Sequence, residues 1–152
     1  MKRLPPTLVA RVRTASNRVR SRATGADIHP TAWVKAGAWI EKGAVIGAYT
    51  FVNRRVEIDN GTTVGEHVAI APGVRIVTAS HELGPARQRA GKFSMTPVTI
   101  GDGCWLGAGC TILPGVDVAP GCVVAAGAVV TKSTEPNGVY AGIPAQRIRD
   151  LG

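Results

Sequence analysis

Ile100-Gly101-Asp102-Gly103-Cys104-Trp105-Leu106-Gly107-Ala108-Gly109-Cys110-Thr111-Ile112 carries one pattern twice: an aliphatic residue, a small residue four positions on, and the next aliphatic residue two further. The spacing continues through Val118, Val124 and Val130. It also runs through Ile28, Val34, Ile40, Ile46, Val52, Ile58, Val64, Ile70 and Ile76. The small slots are Ala32, Ala38, Ala44, Thr50, Val56, Thr62, Val68, Val74 and Ser80, then Cys104, Cys110, Val116, Cys122, Ala128 and Thr134. A period of six fits neither a helix nor a simple alternation, and it is a signature of a parallel β-helix. Each hexad supplies a short strand and a corner, and three hexads close a triangular coil. The aliphatic side chain fills the prism and the small one the inner corner. About five coils follow, and with strands stacked at ~4.8 Å the prism is on the order of 25 Å long. Gly37, Gly43, Gly61 and their equivalents occupy turns where positive φ is needed. The fold class is therefore all-β.

The 152 residues suit one domain. The expected organisation is a basic segment over 1–24, the prism over 25–134 with a loop over 82–97, and a C-terminal tail over 135–152. Flat faces and open ends predict oligomerisation. No apolar run reaches membrane-span length and the first residues lack a secretory apolar core, so a cytoplasmic location is expected.

Net charge is +8, and residues 1–24 hold Lys2, Arg3, Arg11, Arg13, Arg18, Arg20 and Arg22 with no acid. Leu8, Val12, Ala15 and Val19 follow helical spacing after Pro5-Pro6. The expected role is a short helical cap on the first coil. A basic amphipathic helix can also meet anionic lipid, the less favoured role here. Nucleic-acid binding is disfavoured, because the segment has no aromatic residue and the body supplies no basic groove.

Cys104, Cys110 and Cys122 all fall on the small inward slot and read as core fillers, with no paired Cys-x-x-Cys for zinc. No metal is expected.

The register breaks once, between Ile76 and Ile100, immediately after Thr78-Ala79-Ser80-His81. A long insertion carrying Arg87, Arg89 and Lys92 is uncommon without a role. His81 stands at its base. An imidazole can take a proton from a hydroxyl near neutral pH; read alone, His81 is equally a solvent-facing corner histidine.

Residues 53–149 resemble the hexapeptide-repeat acetyltransferases, most closely the maltose, galactoside and nodulation-type sugar O-acetyltransferases. The resemblance rests on Ile70-Ala71-Pro72, Thr78-Ala79-Ser80-His81 with Leu83, Pro85 and Gly91, Pro97 with Ile100-Gly101-Asp102, and Trp105-Leu106-Gly107. It continues through Ile112-Leu113-Pro114-Gly115-Val116, Ala126-Gly127-Ala128-Val129-Val130-Thr131-Lys132 and Ala141-Gly142-Ile143-Pro144-Ala145. It implies a left-handed β-helix, assembled as a homotrimer with sites between subunits, and acetyl-coenzyme A as co-substrate. His81 matches the catalytic base, Gly107 and Ala108 the oxyanion and coenzyme contacts, and Trp105 the pantetheine or acceptor side. Ala126, Thr131, Lys132 and Arg149 match further coenzyme contacts, with Arg147 a lesser candidate, and Asn53 is the nearest match to an acceptor ligand. Glu57, Asp59 and Glu82 are weaker acceptor candidates. Trp105 can equally cover a subunit seam, and Lys132 can be an ordinary corner lysine.

The implied activity is acetyl transfer to a hydroxyl of a saccharide or glycoconjugate. The same fold also serves N-acetylation of amino sugars, O-acetylation of serine, or a non-catalytic scaffold. A zinc carbonic anhydrase needs three converging histidines, and His29, His67 and His81 do not share a hexad position.

Overall fold

The computed structural model describes residues 24–152 together with Val9, Arg11, Val12 and Ser16. Those four residues and Thr24 are helical. The expected packing of residues 1–24 onto the first coil lies outside the described residues. No helix among the described residues is long and apolar enough to cross a membrane.

The first coil contains β1 (Asp27–Ile28), β2 (Trp33–Val34) and β3 (Trp39–Ile40). The second holds β4 (Val45–Ile46), β5 (Phe51–Val52) and β6 (Glu57–Ile58), and the third β7 (Thr62–Val64), β8 (Ala69–Ile70) and β9 (Arg75–Ile76). A hairpin of β10 (Ala79–Leu83) and β11 (Ala90–Met95) interrupts the winding. The fourth coil is β12 (Val98–Ile100), β13 (Trp105–Leu106) and β14 (Thr111–Ile112), and the fifth β15 (Asp117–Val118), β16 (Val123–Val124) and β17 (Val129–Val130). The expected tail carries β18 (Gly138–Gly142) and β19 (Ala145–Asp150).

Corresponding strands stack in parallel, making three faces. Face A is β1-β4-β7-β12-β15, face B is β2-β5-β8-β13-β16-β18 with β19 folded back antiparallel, and face C is β3-β6-β9-β14-β17. The faces meet at edges A–B, B–C and C–A.

All fifteen aliphatic positions of the repeat point inward and are buried. They form one continuous core, because each two-residue strand offers its second residue to the interior and its first to the outside, and the three-residue β7 and β12 bury their two end residues. The corner slots are buried too, except half-buried Ala38 and exposed Ser80. Ser80 was expected inside, but the chain leaves the prism after buried Thr78, and Val98 fills the vacated slot by pairing with Thr62. Thr50 earns its interior place because its Oγ1 donates to the Gly65 carbonyl (2.8 Å) and accepts from the Val68 amide (3.1 Å). Thr62 Oγ1 has no partner among the described residues.

Corner backbones take positive φ, as at Gly37 (79°) and Gly43 (85°), yet Tyr49, Arg55 and His67 hold the same slot at 57°, 57° and 54°. These side chains accept a backbone conformation that favours glycine. Tyr49 and His67, one coil apart on the A–B edge, stack with ring centroids 4.9 Å apart.

At the top of the prism Tyr140 occupies the inward position above Val124 and is 8% exposed. Its hydroxyl accepts from the Glu135 amide (2.8 Å), and the Arg147 guanidinium lies 5.9 Å from its ring centroid. A phenol with a satisfied hydroxyl closes an apolar core where the hexad pattern ends.

Cys104, Cys110 and Cys122 are free and buried. Burial pushes the Cys104 thiol up to about 11 and the Cys110 thiol up to about 12. Such groups stay protonated and inert.

Candidate active site

The insertion expected as a loop is a two-stranded antiparallel hairpin rooted on the C–A edge. Thr78 anchors it: its Oγ1 donates to the Asn60 carbonyl (2.7 Å), its amide donates to Asp59 Oδ2 (3.1 Å), and its carbonyl accepts from the Thr96 amide (2.9 Å). His81 pairs with Phe93, and the register then shifts before Leu83 meets Ala90. That bulge places the Gly91 carbonyl 2.9 Å from His81 Nδ1. A carbonyl only accepts, so the bond puts the proton on Nδ1 and leaves the Nε2 lone pair facing outward. The Phe93 ring stands nearly perpendicular to the imidazole, with centroids 5.8 Å apart. His81 is exposed and so reachable. Gly91 is fixed by space: a Cβ there would come within 2.8 Å of the Glu82 carbonyl oxygen and 3.1 Å of the Gly84 amide nitrogen.

The second group lies on the B–C edge, where Gly107–Ala108 of the fourth coil sit beneath Ala126 of the fifth. Gly107 spends its amide on the Val124 carbonyl (2.8 Å), and a Cβ on it would meet the Ala126 nitrogen at 2.5 Å. It is a spacing residue, letting two coils close up. The Ala108 and Ala126 amides have no partner among the described residues, and both residues are exposed. Two unspent N–H groups thus stack on one edge, and such groups are suited to an anionic oxygen. Of the expected pair Gly107 and Ala108, only the Ala108 amide is left without a backbone partner among the described residues, with that of Ala126 beside it. Asn53 lies on the same edge lower down, its Oδ1 accepting the Arg54 amide (2.9 Å).

Thr131 and Lys132 are exposed on the C–A edge in the fifth coil, above the hairpin root. Lys132 and Arg149, the latter on β19, make no ion pair among the described residues. Arg147 is committed elsewhere. Its Nε binds Asp150 Oδ1 at 2.6 Å, and its terminal nitrogens donate to the carbonyls of Glu135 (3.2 Å), Pro136 (3.0 Å) and Asn137 (3.3 Å). The bond to Asp150, and then that to Tyr140, raise its pKa further. Arg147 therefore holds the end of the prism together and is not a free cation for phosphates.

Trp105 projects outward from face B and is 56% exposed. Within one chain the candidates occupy separate places: His81, Thr131 and Lys132 on C–A, Asn53, Ala108 and Ala126 on B–C, and Trp105 on face B. Face C separates the first two groups. Of the acids, Glu57 pairs with Arg75 at 3.2 Å, Glu82 is exposed on the hairpin, and Asp59 supports Thr78. Asp59 holds the Thr78 amide and Gly91 holds His81 Nδ1, contacts that no spacing in the sequence reveals. His29 and His67 lie on the A–B edge in different coils, remote in the winding from His81.

A family profile described as "Hexapeptide repeat of succinyl-transferase" matches residues 97–132, the fourth and fifth coils. Among solved structures, a hexapeptide-repeat-containing acetyltransferase from Vibrio cholerae superposes with a TM-score of 0.82 at 31% identity, over 92% of this chain and 81% of that one. The chain belongs to the hexapeptide-repeat acetyltransferase family. The same Vibrio protein has been crystallised with acetyl coenzyme A (TM-score 0.80). This family member also resembles a maltose O-acetyltransferase from Clostridium difficile 630, with a TM-score of 0.79 and 29% identity over 90% of this chain and 74% of that one. The galactoside O-acetyltransferase of Escherichia coli is 32% identical over 130 residues, which is 83% of this chain. The chain spans 64% of that enzyme's length.

Proposed function

We propose that this chain is an acetyl-coenzyme A-dependent O-acetyltransferase acting on a hydroxyl of a saccharide or glycoconjugate, with His81 as general base. The single observation that carries this reading is the Nδ1–H bond of His81 to the Gly91 carbonyl, which leaves Nε2 as a proton acceptor on an exposed hairpin. Nε2 takes the hydroxyl proton as that oxygen attacks the thioester carbonyl carbon. The amides of Ala108 and Ala126 stand ready for the oxyanion. Collapse expels the thiolate, which recovers the proton from the imidazolium, so an ester and free coenzyme A leave. No acyl-enzyme is needed. Lys132 and Arg149, unpaired cations near the top of the prism, suit the coenzyme phosphates.

The separation of His81 from the B–C edge within one chain favours a site shared between subunits of a homotrimer. Face B supports association. Its outward ladder is Trp33, Phe51, Ala69, Trp105 and Val123, wholly apolar, whereas face A presents Asp27, Val45, Thr63, Thr99 and Asp117. An apolar row of this kind marks an interaction surface. Transfer to oxygen is preferred to nitrogen because the relatives at 29–32% identity include O-acetyltransferases of maltose and galactoside.

The test is release of free coenzyme A against a panel of mono- and oligosaccharides, amino sugars and serine. Release with hydroxyl acceptors supports the reading. Release with amines alone would reassign the chemistry to N-acetylation, and failure to bind coenzyme A would remove the enzyme reading.

A further inference from the structure

Below the His81 hairpin, the C–A edge carries a second feature that the reaction does not use. Trp39, on the outward side of face C in the first coil, is 68% exposed. Two adjoining cavities of about 410 Å³ each share its indole and Glu41. One is completed by Glu57 and Asp59, the other reaches Lys42 and Asn60. Those volumes fall in the range of small-molecule sites.

We infer that Trp39 and the carboxylates beside it form an outer acceptor subsite, so the acceptor is an oligosaccharide whose chain runs down this edge from the residue acetylated at His81. The inference rests on the proposed sugar acetyltransferase reading and deepens it.

Three observations lead there. A pyranose has one apolar C–H face and a rim of hydroxyls, and an exposed indole beside acceptor oxygens is complementary to both. Position agrees: Asp59 lines the cavity and also accepts the Thr78 amide at 3.1 Å, three residues before His81, while Glu41 accepts the Asn60 amide at 3.0 Å. The cavity and the hairpin root are therefore parts of one column. Reach agrees as well, because Trp39 is in the first coil and Thr78 in the third, two strand spacings or about 10 Å apart. That separation suits a sugar further along the chain than the one being acetylated.

Charge narrows the class. Glu57 is paired with Arg75 at 3.2 Å and Lys42 offsets one of the two remaining carboxylates, so Glu41 and Asp59 leave the joined cavities with one net negative charge. Neutral or amine-bearing oligosaccharides fit, and anionic ones are repelled.

The experiment compares kcat/KM for glucose, maltotetraose, glucosamine, a glucosamine tetramer and a sialic acid oligomer, in wild type, Trp39→Ala and Trp39→Phe. The expected result is that the better tetramer exceeds its own monosaccharide by tenfold or more in wild type. Trp39→Ala brings that ratio to near one through KM, and Trp39→Phe restores part of it. Calorimetric titration of that tetramer into His81→Ala protein, without coenzyme, should show binding that Trp39→Ala removes. An equal tetramer ratio in wild type and Trp39→Ala overturns the subsite. So does a change in oligomer mass on Trp39→Ala, since the indole would then serve a subunit seam, and so does preference for the sialic acid oligomer. Absence of transfer to every acceptor, with coenzyme release tested in parallel, instead counts against the acetyltransferase reading. Tetramer binding to the His81→Ala protein then still reports on the subsite alone.

Discussion

His81 and Gly91 lie across the hairpin from each other, and the 2.9 Å bond between Nδ1 of one and the carbonyl of the other decides which imidazole nitrogen is free. The bond exists because the register shifts between His81 and Leu83, and the strands close at that point only with a glycine. Gly91→Ala should therefore lower kcat by tenfold or more while KM for acetyl-coenzyme A and the thermal midpoint of the prism change little. Steady-state kinetics beside a melting curve check this, and a large fall in the midpoint would mean that Gly91 matters for folding instead.

Thr62 carries a buried hydroxyl without a partner among the described residues, directly below Val98 in the stack. An unsatisfied buried polar group costs about 1–3 kcal/mol. Thr62→Val keeps the shape and removes the hydroxyl, so it should stabilise the fold by about 1 kcal/mol, read from urea denaturation. A loss of stability would show that the hydroxyl has a partner.

Arg147 and Arg149 differ by two positions and should behave oppositely. Arg147→Ala breaks the ties to Glu135, Pro136, Asn137 and Asp150 and should lower the melting temperature. Arg149→Ala should leave melting unchanged and raise KM for acetyl-coenzyme A several-fold. Identical effects of both substitutions would contradict this division.

Burial pushes the Cys104 and Cys110 thiols up to about 11 and about 12, while an unfolded thiol titrates at ~8.5. Above that lower value the unfolded chain loses protons that the folded chain keeps, so stability falls as pH rises through the window up to about 11–12. Denaturation midpoints at pH 7, 9 and 10 should fall, and more steeply than in the Cys104→Ala/Cys110→Ala variant. Equal slopes would mean that the thiols titrate alike in both states.

The prism was legible in the sequence because one side chain per hexad must face inward, and all fifteen of those positions do. Ser80 fails the pattern for a physical reason: Val98 re-enters the stack in its place, and nothing in the spacing tells where an insertion rejoins. The hairpin register depends on a bulge, which leaves no periodic trace. Tyr140 and Arg147 close the top through hydrogen bonds beyond the last hexad. His81, Trp105 and the Gly107–Ala108 pair could be named from their motifs. Their distribution over different edges could not, since it depends on which hexad falls on which face.

Whether His81 is the general base is decided by comparing His81→Ala with wild type at saturating acetyl-coenzyme A and a hydroxyl acceptor, alongside a calorimetric measurement of coenzyme A binding. A positioned general base contributes on the order of 10²–10⁴ in rate. His81→Ala should lower turnover by that much with coenzyme A affinity unchanged. Wild-type turnover in the variant would contradict that role.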